Sequence, residues 1–125
     1  MRPLFAAALL IATLATPGLA RDRRGLVEAT PTGPAVSCIP LTGIQETRVR
    51  SDQVIDFIMR GRDRVYRVTL DQPCPELGFE QRFSYETSLS QLCSADIITV
   101  FHTSPPMRGA SCGLAPFQPV TLAHR

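Results

Sequence analysis

Four cysteines, Cys38, Cys74, Cys93 and Cys112, are spread along a 125-residue chain, and no two of them stand as C-x-x-C. That spacing removes the usual signatures of a zinc ribbon and of a thioredoxin-type redox pair. What remains is an even number of cysteines available as structural disulfides, which constrains a short chain more than any other feature here. Two disulfides require an oxidising compartment, because thiols stay reduced in the cytosol.

The first twenty residues supply the route to such a compartment. Met1-Arg2-Pro3 precedes an apolar stretch over 4–15, and small residues stand two apart at Gly18 and Ala20. This is the layout of a cleavable secretory signal over 1–20, with the mature chain expected to begin at Arg21. The apolar stretch is shorter than the roughly 20 residues a membrane-spanning helix needs. No transmembrane anchor is expected, and no cysteine at the cleavage point invites a lipid. The expected localisation is periplasmic or secreted.

The mature chain suffices for one small domain. At this size only about 60 to 65% of the unfolded surface is buried on folding, so covalent reinforcement matters. Residues 21–37 contain Arg-Asp-Arg-Arg and the run Thr30-Pro31-Thr32-Gly33-Pro34, with few apolar side chains. They read as a flexible leader. The domain is expected over 38–122, followed by a disordered terminus at 123–125.

Within the domain, the runs 44–50, 54–60 and 64–70 are rich in β-branched and aromatic residues and are separated by turn-forming triplets. They predict a three-stranded meander. The period of two places Ile55, Phe57 and Met59 on one face, and Tyr66, Val68 and Leu70 on the same face of the next strand. Two further strands are expected at 80–87 and 97–102. Between them, 88–94 reads as a tight loop or one helical turn capped by Ser88 or Ser90. The proline- and glycine-rich tail at 105–119 is expected to be irregular. The predicted fold is mainly β: a small five-stranded antiparallel meander or half-closed, OB-like barrel with two disulfides. Four cysteines allow three pairings, and nearest-neighbour closure prefers Cys38 with Cys74 and Cys93 with Cys112.

Thirteen basic and eleven acidic residues leave a formal charge of +2, too small to steer a polyanion by itself. The densest charge cluster is Arg60, Arg62 and Arg64 at a hairpin tip, followed by Arg67, a candidate anion-binding set with bidentate geometry at each guanidinium. Against this, charges at a hairpin tip also simply keep an edge soluble, and Asp56 and Asp63 partly neutralise the patch. His102 lies near Ser104 on one side and Asp96 on the other, but no G-x-S-x-G elbow accompanies them. Glu76, Glu80, Glu86, Asp71 and Asp96 are loop carboxylates with no spacing that compels a pair. Phe79, Phe83, Tyr85, Phe101 and Phe117 serve either as core or as a ligand-pocket lining. No catalytic, metal or cofactor set is expected from these patterns, and an exported chain with few aromatics beside its arginines does not suggest nucleic acid.

Several short motifs carry a resemblance. Cys38-Ile39-Pro40-Leu41, Val65-Tyr66-Arg67, Cys74-Pro75-Glu76-Leu77-Gly78-Phe79, Arg82-Phe83-Ser84-Tyr85, Ser90-Gln91-Leu92-Cys93-Ser94, Asp96-Ile97-Ile98 and Cys112-Gly113-Leu114 resemble a family of short, exported, four-cysteine bacterial proteins grouped as a domain of unknown function. The resemblance covers roughly 37–120. It implies one exported, disulfide-bearing domain and brings no activity, cofactor or site residue. The resulting expectation is a non-enzymatic module that binds an envelope component or a small anionic ligand. Two alternatives stand beside it: a small periplasmic hydrolase using His102 with loop carboxylates, and a purely structural envelope protein.

Overall fold

The computed structural model describes residues 27–61, 64–87 and 89–123. The expected signal at 1–20, the start of the leader, Arg62, Asp63, Ser88 and His124 lie outside the described residues. The described residues form ten strands, a 3-10 turn at Leu41–Gly43 and one α-helical turn: β1 Ala29–Pro31, β2 Cys38–Pro40, β3 Ile44–Val49, β4 Val54–Met59, β5 Val65–Thr69, α1 Leu77–Glu80, β6 Phe83–Tyr85, β7 Gln91–Cys93, β8 Ile97–Thr103, β9 Pro106–Gly113 and β10 Gln118–Leu122.

The predicted meander is present as β3-β4-β5, paired antiparallel throughout. Its first turn is held by the Ser51 hydroxyl, which accepts from the backbone N–H groups of Gln53 and Val54 at 3.1 Å each, as short polar side chains do in such turns. Its second turn uses Gly61 at φ 108°, a conformation that glycine adopts without steric cost. Ile55, Phe57, Met59, Val68 and Leu70 are buried and Tyr66 packs against them. The alternation read from the sequence therefore puts the right residues inside.

The sheet extends beyond the meander in the order β1-β10-β5-β4-β3, with β3 and β1 as open edges. Two smaller antiparallel sheets complete the fold, β6-β8-β9 and β2-β7. All contribute to one core: Ile98 and Val100 from β8, Ile39 and Leu92 from the two-stranded ladder, and Leu77 and Phe117 join the residues of the large sheet. Phe57 meets Phe117 and Phe83 edge-on, with ring centroids 5.5 and 6.4 Å apart, the arrangement that the aromatic quadrupole favours.

The molecule is thus mainly β, but three open sheets replace a single meander or a half-closed barrel. Residues 105–119 are not irregular as expected: most of them form β9, the longest strand, and the start of β10. The prolines that suggested otherwise occupy positions a strand tolerates. Pro106 is the first residue of β9, where a missing N–H is least costly. Pro119 lies within β10, yet its carbonyl still accepts from Thr32 N–H at 3.0 Å. Since the N–H and C=O of one strand residue point the same way, its missing donor faces β1, the edge strand. Part of the stretch expected as a leader is also built into the fold, because β1 pairs with β10 and Val36 bridges Phe117. The 88–94 segment contains β7 rather than a helical turn.

The disulfides are Cys38–Cys93 and Cys74–Cys112, which corrects the preferred pairing of Cys38 with Cys74 and Cys93 with Cys112. Cys38 and Cys93 face each other directly in the β2-β7 ladder, with Cα atoms 4.0 Å apart. Cys74 reaches Cys112, the next-to-last residue of β9. The loop-entropy preference was real but small. Closing the longer loops instead costs only about 1 kcal/mol, since loop closure grows logarithmically, and strand pairing decides over a term of that size.

Candidate functional site

The side-chain row along β8 explains where one unusual cluster forms. Ile98 and Val100 are buried, and by the period of two His102 continues the same face to the end of the strand. There the core gives way to α1, a single turn whose Leu77 is fully buried. Leu77 anchors the turn, so Glu76 and Glu80, four residues apart, stand on one side of it near His102. His102 Nδ1 lies 3.2 Å from Glu80 Oε1 and 4.0 Å from Glu76 Oε2. The imidazole and the Glu80 side chain are mostly covered, whereas Glu76 is more than half exposed.

Three local features fix this arrangement. Gly78 N–H donates to Asp52 Oδ1 at 2.7 Å, tying the turn to the β3–β4 loop. A Cβ at Gly78 would lie 2.9 Å from that oxygen and 3.0 Å from Asp52 N, so only glycine allows the approach. On the other side, a Cβ at Gly109 would lie 2.5 Å from His102 Nε2, so the bare backbone of β9 makes the seat for the ring. Gly109 falls at a β-bulge, where two residues of β9 oppose Val100 of β8, and bulges commonly re-aim a side chain in this way. Finally, Glu76 and Gln81 flank α1 with positive φ, 70° and 57°, a region costly for any residue with a Cβ.

The Ser, His and Asp considered in the sequence are not assembled. Asp96 accepts from Cys93 N–H at 2.7 Å and closes the β7–β8 turn. It sits six residues along the strand from His102, about 20 Å away at strand rise. The partners of His102 are instead two of the loop carboxylates, brought in by α1. The signal for them in the sequence was Glu76 and Glu80 at helical spacing, too common a pair to select without knowing where His102 would lie.

The arginine cluster divides. Arg60 is exposed and donates through Nε to Thr42 O at 3.0 Å. Arg64 is exposed near the hairpin tip, and Arg62 lies outside the described residues. Arg67 does not project with them. Its guanidinium engages Asp56 through two hydrogen bonds of 2.7 and 2.9 Å, and Arg50 reaches the same carboxylate at 2.8 Å. Asp56 is on the face of β4 away from the main core, yet fully buried beneath these arginines.

Beside this charged row the same sheet face carries a groove of about 250 Å³. Ile58, Val65 and Leu122 give it apolar walls, and Arg48, Glu46 and Arg64 give it charge. Arg48 and Glu46 pair through a 2.8 Å contact at the surface, which holds the Glu46 carboxyl below its ordinary value.

The aromatic set also divides. Phe117 is in the core, Phe83 packs against it, Tyr85 and Phe101 line a shallow surface groove, and Phe79 is 83% exposed beside the carboxylates. No helix among the described residues is long and apolar enough to cross a membrane. No family model, curated protein or solved structure matches the chain.

Proposed function

We propose that this chain is an exported, disulfide-stapled binding module, and that it takes a small ligand with an apolar body and an anionic head in the groove on the outer face of the large sheet. The observation that carries the proposal is the union of apolar walls, Ile58, Val65 and Leu122, with the guanidinium groups of Arg48 and Arg64 in one concave site. Pockets that combine apolar lining with a few placed charges are the usual form of small-ligand sites. Arginine suits carboxylate, sulfonate and phosphate heads through its planar fork. Of the arginines singled out in the sequence, Arg64 belongs to this site, whereas Arg67 serves the Asp56 ion pair. Export is supported by the signal layout at 1–20 and by two disulfides, which persist in oxidising compartments.

The test uses anilinonaphthalene sulfonate, an apolar fluorophore with an anionic head, on the oxidised mature protein. Saturable one-to-one binding that weakens by about two- to fivefold in each of Arg48→Gln and Arg64→Gln is expected, the size of an exposed charge contact. The affinity should also fall with salt. Absence of saturation, or identical binding by the double variant, would sink the proposal.

A second reading is favoured by the 3.2 Å contact between His102 and Glu80. A carboxylate that orients an imidazole is the core of general-base catalysis, so a small hydrolase remains the competing class. Loss of a measured hydrolytic activity in His102→Ala, with the fold retained, would decide for it.

A further inference from the structure

Glu76, Glu80 and His102 are, among the described residues, the one group whose histidine, cysteine and carboxylate ligand atoms converge, all within 4.8 Å of one another. We propose that they form a binding site for a divalent transition-metal ion of the zinc type, separate from the sheet-face groove. Two carboxylate oxygens and one imidazole nitrogen make a donor set suited to zinc and its neighbours rather than to calcium or magnesium, which take oxygen alone.

The distances fit this use. An ion bound at about 2.0–2.2 Å by each donor needs ligand atoms roughly 3.3–3.6 Å apart in tetrahedral geometry. His102 Nδ1 is already 3.2 Å from Glu80 Oε1 and 4.0 Å from Glu76 Oε2. Glu76 is the exposed member and has rotamer freedom to close the remaining gap. To bind an ion, His102 must present Nδ1 without its proton, either as the tautomer protonated at Nε2 or after releasing a proton to solvent. The Glu80–His102 hydrogen bond is then replaced by two coordinate bonds, and a divalent charge offsets the two carboxylates. Three protein donors leave one position open to water or to a ligand.

The surroundings hold the donors in place before any ion arrives. His102 is seated against Gly109, and Glu80 ends a turn anchored by Leu77 in the core. The Cys74–Cys112 disulfide joins the segment leading into that turn to β9, the strand that seats His102. No sequence motif announced the set, because the histidine follows Glu80 by 22 residues and joins it only through the α1–β8 packing.

The experiment is zinc titration of the oxidised mature chain, prepared without a polyhistidine tag, by calorimetry and by NMR of the histidine rings. One zinc per chain is expected, with the His102 ring signals shifting on binding. Loss of a residue that only orients a metal ligand already weakens metal sites by about 10- to 100-fold, so removing a ligand itself in Glu80→Gln or His102→Ala should weaken zinc by more than that. Glu76→Gly removes a donor at a position where glycine fits the backbone better, so a fold retained with weakened zinc separates coordination from stability. His124→Ala serves as a control and should leave binding unchanged. Absence of saturable zinc binding, full affinity in both Glu80→Gln and Glu76→Gly, or zinc lost only in His124→Ala would each overturn the proposal. The anilinonaphthalene sulfonate titration addresses a different face, so either proposal can fail without the other.

Discussion

The guanidinium of Arg67 on β5 grips the carboxylate of Asp56 on the neighbouring β4 with two hydrogen bonds, 2.7 and 2.9 Å long, on the outer face of the large sheet. Arg50 completes the enclosure, and Asp56 is fully shielded from water as a result. A buried carboxylate of this kind is tolerated because its oxygens are satisfied by charged donors. Removing its charge leaves two mostly covered guanidinium groups without their partner. Asp56→Asn is expected to lower stability by about 3–5 kcal/mol, the range for breaking a buried ion pair. Denaturant unfolding measures it, and a loss below about 1 kcal/mol would mean that the arginines re-solvate freely.

Gly109 is expected to resist substitution for a reason specific to His102. In Gly109→Ala the new methyl would lie 2.5 Å from Nε2 and 3.2 Å from Val100 O, so the ring must leave its seat. Overpacking of this kind costs about 1–3 kcal/mol. Thermal unfolding should fall accordingly, and the His102 ring resonances should move. Unchanged ring signals would show that the ring does not rest on Gly109.

The disulfides make a direct prediction. Proteolysis of the unreduced protein should yield peptides joining Cys38 to Cys93 and Cys74 to Cys112. Loss of Cys74–Cys112 in a double alanine variant should cost about 2–5 kcal/mol, the usual range for a native disulfide in a small domain. A peptide joining Cys38 to Cys74 would contradict the β2-β7 ladder itself.

Glu46 offers a titration. Its hydrogen bond to Arg48, reinforced by the charges of Arg48 and Arg50, holds its carboxyl below the ordinary 4.5. With the folded value depressed, the pair favours the folded state above the unfolded-state value, and this contribution disappears as pH falls through the folded one. NMR titration should place the Glu46 midpoint below 4.5, and Arg48→Gln should raise it. The pair lies at the surface, so global stability should hardly respond.

Much of the fold was legible locally. The meander β3-β4-β5 and its inward face follow from alternation over a few residues, where a one-residue slip would turn every apolar side chain to water. Ser51 and Gly61 mark its turns by their own chemistry. The five-stranded order was not legible, because β1 and β10 are short, contain prolines and exist only through pairing with each other and with β5. Likewise β9 is polar and glycine-containing, and it is a strand because β8 offers it a partner along nearly its whole length.

By itself the sequence determined that this is a small, mainly β domain with cysteines suited to pairing, because period and cysteine number act through local chemistry. Tertiary structure alone decided which cysteines meet, that Arg67 turns inward to Asp56 while Arg64 joins a groove, and that His102 meets Glu80 and Glu76. Each of those outcomes joins residues distant in the chain, and each is selected by backbone ladders and core packing. Their energies exceed the loop-closure and charge preferences visible along the sequence.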